Sequence, residues 1–160
     1  MARHKGEFLA RSWLDITIAS TNYVDNARPQ FLINPSTGEP LEYDRYYPSP
    51  ANVAFEFNGL QHYGPTDKYY SEEDFRSTRI RDLIKRALSD ENGVTLVVLT
   101  YKDLSLNRIM SSIPDMLEKT WVDNEGPLVQ TLERLSTQYR TKVEKVEKAE
   151  TQRAKAGRTK

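Results

Sequence analysis

LEYDRYYPSPANVAFEFNGLQHY, residues 41–63, is the stretch on which the fold of this chain turns. Its first half alternates. Leu41, Tyr43, Arg45 and Tyr47 fall on one face and Glu42, Asp44 and Tyr46 on the other, the period of two that marks a strand over residues 41–47. Pro48 and Pro50 break that strand, and Asn52 restarts the chain. In residues 53–58, Val53, Phe55 and Phe57 share one face while Ala54, Glu56 and Asn58 share the opposite one. Gly59 then permits a bulge or kink that re-aims Gln61 and His62. Two neighbouring strands thus carry one carboxylate each, Asp44 and Glu56. Side by side, they offer the paired hard oxygen ligands that a Mg²⁺ ion takes. With Asn58, Gln61 and His62 crowded at the strand end, the pattern points to metal-assisted phosphodiester chemistry.

The elements around this pair follow from periodicity. Upstream, Phe8, Leu9, Trp13, Ile16 and Ala19 recur at helical spacing, which predicts a helix over residues 6–19 with Glu7 near its start. Residues 31–33 read as a short strand, joined to the next by the turn residues Pro35, Gly38 and Pro40. Downstream of a loop over residues 64–70, Ser71 with Asp74 resembles a capping box. The helix it starts runs to Glu91, with Phe75, Ile80, Leu83, Ile84, Ala87 and Leu88 as its buried face and Gly93 as its stop. VTLVVLTY, residues 94–101, is a β-branched apolar run and reads as the central strand. A helix over residues 105–121, interrupted at Pro114, comes next. A last helix over residues 128–149 carries Leu128, Leu132, Leu135, Tyr139, Val143 and Val146 at spacings of three and four, and the final AKAGRTK, residues 154–160, reads as disordered. The helix before residue 94 makes a right-handed crossover, so the flanking strands pair in parallel. The expected class is α/β: a mixed sheet flanked by helices, with a C-terminal helical extension.

Composition narrows the setting. The chain has 160 residues, 38% apolar and 29% charged, enough for one compact domain with an appended element. We divide it into a body over residues 1–121, a linker over 122–127, and a helix with a basic tail over 128–160. No apolar run is long enough for a membrane span, and the basic start lacks a secretory apolar core. There are no cysteines, which excludes thiolate metal sites and makes a cytoplasmic or other intracellular location the default. The net charge of zero conceals an asymmetry: residues 1–133 carry 14 Lys and Arg against 20 Asp and Glu, and residues 134–160 carry 9 against 3. An acidic body with a basic end suits two different partners, or is a solvated helix with a frayed end.

Residues 41–63, together with RIRDLIK and GVTLVVLTY, resemble the PD-(D/E)xK nuclease superfamily, the restriction-endonuclease-like fold. The nearest branch is the one shared by very-short-patch-repair-type nucleases and some phage and homing endonucleases, in which a glutamine often replaces the variable lysine. The resemblance covers residues 7 to 103. It implies that Asp44 and Glu56 are the metal ligands, that Gln61 stands in for the lysine that orients the attacking water, and that Glu7 completes the catalytic set. Two departures stand out: Asn58 sits where many relatives have an acid, and no lysine flanks Glu56. The implied activity is a Mg²⁺-dependent DNA endonuclease, with Mn²⁺ able to substitute, leaving 5′-phosphate and 3′-hydroxyl ends. A phage or mobile element is the implied genetic setting. The alternative is a non-catalytic nucleic-acid-binding or protein-interaction module on the same fold.

Single residues carry blander readings. Asp44 alone is a solvent-facing strand residue, and Glu7 alone complements the helix dipole. His62 ligates metal, touches phosphate or makes a structural hydrogen bond. Asn58, His62, Arg79, Arg81, Lys85 and Arg86 are the candidate DNA contacts, set against a solvated helix face in which Asp82 and Arg86 pair. Tyr46, Tyr47, Tyr63, Tyr69 and Tyr70 are placed to stack on bases or to pack in the core. The apolar stripe of the last helix needs a cover, which favours a homodimer.

Overall fold

The computed structural model describes residues 2–58 and 72–158. A four-stranded sheet, in the order β1-β2-β3-β4, lies between one helix on one face and three on the other. The strands are β1 (Val24–Ala27), β2 (Tyr43–Tyr47), β3 (Val53–Phe57) and β4 (Thr95–Leu99). The first three pair antiparallel, and β3 pairs parallel with β4, from Val53 opposite Thr95 to Phe57 opposite Leu99. The expected mixed sheet and parallel crossover are present. The expected strand at residues 31–33 is not: Ile33 makes only a single bridge with Pro40. Its place beside β2 is taken by β1, whose Asn26 has a left-handed backbone (φ 54°). The run after Gly93 is an edge strand rather than the central one.

Two cores result. The larger one joins α1 (Ala2–Thr17), α3 (Leu106–Ser112) and α4 (Pro127–Arg158) to the sheet through Leu9, Trp13, Phe55, Leu99, Ile109 and Tyr139. In α1 the buried large or apolar side chains are Leu9, Ala10, Trp13 and Leu14, with Gly6 and Thr17 buried beside them, while Phe8, expected inside, is 61% exposed. The helix expected over residues 105–121 stops at Ser112, about two turns into its course, because Pro114 forces the preceding Ile113 into an extended conformation. The smaller core lies under α2 (Glu72–Glu91) and joins Leu32, Leu41, Tyr43, Ala54 and Val94 to Ile84 and Leu88. Gly93, in the left-handed region at φ 70°, ends α2 while the Val94 amide bonds back to the Ser89 carbonyl. Ile80 and Leu83 remain exposed, so the inner face of α2 is rotated from the one the apolar pattern predicts. Ser71, the expected cap, lies outside the described residues.

The last helix belongs to the body. Val129, Leu132, Tyr139 and Val143 are buried in the larger core, and Ser136, buried with them, accepts a hydrogen bond from the Trp13 indole at 2.9 Å. Leu128 and Val146, two members of the expected stripe, face solvent. The helix continues to Arg158, past its expected end and into the tail expected to be disordered. With the stripe covered from within, the surface that called for a second copy is already occupied.

Gly6 sets how closely α1 approaches the sheet. A Cβ there would sit 2.5 Å from the Phe57 ring and 2.5 Å from the Tyr139 hydroxyl. Gly6→Ala therefore forces the first turns of α1 away from β3 and α4, at a cost of about 1–3 kcal/mol, and carries the neighbouring Glu7 with it. We expect a melting temperature several degrees lower, partly recovered by Tyr139→Phe in the same chain. Wild-type melting of Gly6→Ala would show that the contact is slack.

Candidate active site

The strands β2 and β3 part at one end, and the acids gather there. Their register runs Arg45 opposite Phe55 and Tyr47 opposite Val53, so Tyr43 would continue it opposite Phe57. It does not. The Phe57 amide is taken instead by the Asp44 carboxylate, N to Oδ2 2.7 Å. The strict alternation of β2 fails at the same point, since Tyr43 joins Tyr46 in the smaller core whereas Tyr47 packs in the larger one. A side chain has replaced a ladder bond. That substitution turns the Asp44 carboxyl inward, against the C-terminal end of β3.

Glu56, the last but one residue of β3, meets α2. Its Oε1 lies 3.1 Å from the Lys85 ammonium, and both side chains are nearly covered, 13% and 14% exposed. Burial, reinforced by the nearby Asp44 charge, pushes the Glu56 carboxyl up to about 7, with Lys85 opposing but not cancelling the rise. Asp44 rises to about 6: burial drives it, the Phe57 amide resists it, and Glu7, in hydrogen-bond contact with Asp44, adds to it. Glu7, Asp44 and Glu56 line one small cleft with Ala10, Arg11 and Leu14 of α1. Among the described residues no three acid or imidazole side chains stand close enough to hold an ion unaided.

Each expected site residue can now be placed. Asp44, Glu56 and Glu7 come together from β2, β3 and α1. Asn58 follows β3, half-buried, its amide bonded to the Leu99 carbonyl. Gln61 and His62, and with them Tyr63, Tyr69 and Tyr70, lie outside the described residues. Tyr47 is buried in the larger core, which removes it as a base-stacking surface, and Tyr46 packs partly buried against the smaller one. Of the cations grouped on α2, Arg79, Arg81 and Arg86 face solvent, Arg81 reaching Glu39 at 3.4 Å. Lys85 is turned in to Glu56. Sequence reasoning grouped Lys85 with the surface cations and sought a lysine only beside Glu56. The signal was available in the spacing of Lys85, Leu88 and Ser89, which one helical face brings to the sheet together.

The raised carboxyls have a measurable consequence. A carboxyl whose folded value exceeds its ordinary one holds a proton in the folded chain that the unfolded chain has lost. Stability then falls as pH rises from the ordinary carboxylate range through about 7. In EDTA, wild-type melting should drop between pH 5 and pH 8 more steeply than that of Glu56→Gln, and added Mg²⁺ should flatten the wild-type curve. Parallel curves for the two proteins would refute the assignment of a buried, proton-holding Glu56.

Comparison with known proteins gives three viral relatives. An uncharacterized protein of Invertebrate iridescent virus 3 is 37% identical over 98 residues, which cover 61% of this chain and 49% of that protein. One of Invertebrate iridescent virus 6 is 32% identical over 111 residues, covering 61% and 56%. One of Frog virus 3 is 33% identical over 79 residues, covering 48% and 50%. No family model and no solved structure matches the chain. The chain is thus similar to viral proteins of which it spans about half the length.

Proposed function

We propose that this chain is a divalent-metal-dependent DNA endonuclease that hydrolyses phosphodiester bonds to 5′-phosphate and 3′-hydroxyl ends. One observation carries the reading: the buried Asp44 and Glu56, from adjacent strands, line one small cleft with Glu7 of α1, in the order of elements that the restriction-endonuclease-like resemblance implies. Buried acids that repel one another are a site for a cation, and their hard oxygens fit Mg²⁺ or Mn²⁺. When bound, such an ion acidifies a water and draws charge from a phosphoryl oxygen.

The chain's own residues do the rest. Asp44 and Glu56 would hold the ion, with Glu7 completing the acid set. The Phe57 amide fixes one Asp44 oxygen at the edge of the cleft. Lys85 keeps Glu56 in place and brings a positive charge to the reacting phosphate. Gln61 holds the attacking water. Arg79, Arg81 and Arg86 meet the DNA backbone from the outer face of α2.

The test is a supercoiled plasmid incubated with MgCl₂ or MnCl₂, with and without EDTA. Nicked or linear product that a ligase can reseal supports the reading, and an intact plasmid under both metals overturns it. A second reading, a non-catalytic binding module, draws on the internal partners that Asp44 and Glu56 already have. Duplex binding indifferent to EDTA, without cleavage, would favour it. Among the described residues no helix is long and apolar enough to cross a membrane.

A further inference from the structure

Arg11 stands one helical turn beyond Glu7 on α1 and lines the same cleft as Asp44 and Glu56. Glutamate and arginine four apart on a helix ordinarily pair. These two do not: Arg11 has no carboxylate within ion-pair distance among the described residues. Its Nη2 is drawn the other way, to the Asn26 side-chain oxygen at 3.0 Å and the Asp44 main-chain oxygen at 3.3 Å. Asn26, left-handed at φ 54°, is the β1 residue whose register falls opposite Asp44. The kink in β1 therefore supplies the anchor that keeps the guanidinium off the acids.

What remains is a cation with donors to spare. The Arg11 Nε is buried and has no hydrogen-bond partner. A charged donor so placed is costly to leave unpaired, and no residue of the cleft relieves it. Arg45, its neighbour along the cleft, is the contrast: that guanidinium is spent on Asp15 and Asp25, each at 2.6 Å, and on the face of Tyr23. Arg11 is the guanidinium held in reserve beside the acids. A planar guanidinium suits one kind of guest above others, an anion with two oxygens to offer.

We propose that Arg11 is a substrate-binding residue that receives a non-bridging oxygen of the phosphodiester brought to Asp44 and Glu56. The inference rests on the nuclease reading above and adds to it the group that holds the phosphate. Anchored at Nη2, the guanidinium keeps donors at Nε and Nη1, either of which can meet a phosphoryl oxygen. A cation so fixed also offsets the repulsion that an acidic cleft exerts on an approaching phosphate.

The experiment measures binding of a fluorescent 20-base-pair duplex by anisotropy in CaCl₂, across a range of KCl concentrations, for wild type, Arg11→Ala and Arg11→Lys. Circular dichroism of each variant checks the fold, and Mn²⁺ binding by calorimetry checks the acids. We expect Arg11→Ala to bind roughly tenfold more weakly, with a salt slope smaller by about one. Arg11→Lys should recover the slope but only part of the affinity, and Mn²⁺ binding should be unchanged in both. Unaltered affinity and slope in a folded Arg11→Ala, with the wild type binding and cutting DNA, overturns this inference and leaves the nuclease reading intact. A wild type that neither binds duplex nor cuts plasmid overturns both. If Arg11→Ala fails to fold, Arg11→Lys with wild-type affinity overturns the inference alone.

Discussion

If Asp44 and Glu56 hold the metal as proposed, Asp44→Ala and Glu56→Ala should each reduce metal-dependent cleavage to background, a loss on the order of 10³-fold or more for removal of a group that holds the charge-neutralising centre. The fold should survive both changes. Asp44 is a strand residue whose carboxylate takes one amide, and Glu56 has one ionic partner, so neither truncation opens a cavity in the larger core. Each removes a carboxyl held above its ordinary range by burial, and with it a desolvation cost. Melting in EDTA at pH 8 should therefore hold or rise while activity disappears. That opposite movement is the signature of a functional rather than a structural acid. Cleavage at the wild-type rate in either variant would sink the assignment, as would a collapse of melting that merely accompanies the loss.

The parts of the fold legible in the sequence are those whose pattern reflects what lies above and below them. The alternation in β2 and β3, the helical spacing of Leu9 and Trp13 in α1, and the parallel crossover through α2 all follow from that rule. Lateral position follows another. The apolar run of β4 reports cover on its faces and says nothing of its neighbours, which is why an edge strand reads as a central one. In β1 the sequence Val24-Asp25-Asn26-Ala27 has no apolar alternation, and its left-handed Asn26 is a turn signal rather than a strand signal. The strand exists because Arg45 on β2 pairs with Asp25 at its side, a tertiary cause with no local trace. Of the site, the acids were legible and the cations were not. Carboxylates placed in apolar strands announce themselves by their cost, whereas a lysine or arginine on a charged helix looks the same whether it points in or out.

Lys85 shows what that difference means for the chemistry. The apolar pattern of α2 would bury Ile80 and Leu83, yet both are exposed. Two polar links fix the rotation of the helix instead: Ser89 to the Tyr43 hydroxyl and Lys85 to Glu56, from the face that also carries Ile84 and Leu88. If Lys85 serves the reaction, Lys85→Met, which keeps the apolar stem, lowers kcat by about 10²- to 10³-fold, the scale of one lost electrostatic contact in a desolvated site. Its removal also takes away the positive charge that opposes the rise of Glu56, so the carboxyl moves further above 7 in the metal-free protein. The acidic limb of the pH–rate profile then shifts to higher pH, and Lys85→Arg restores part of the rate. A surface cation touching the DNA backbone would behave otherwise. Its loss would raise KM and flatten the salt dependence of binding, with kcat and the pH profile unmoved. The kinetics of one variant thus decide between a lysine that holds the substrate and one that acts on it, and the 3.1 Å contact with Glu56 places the expectation on the second.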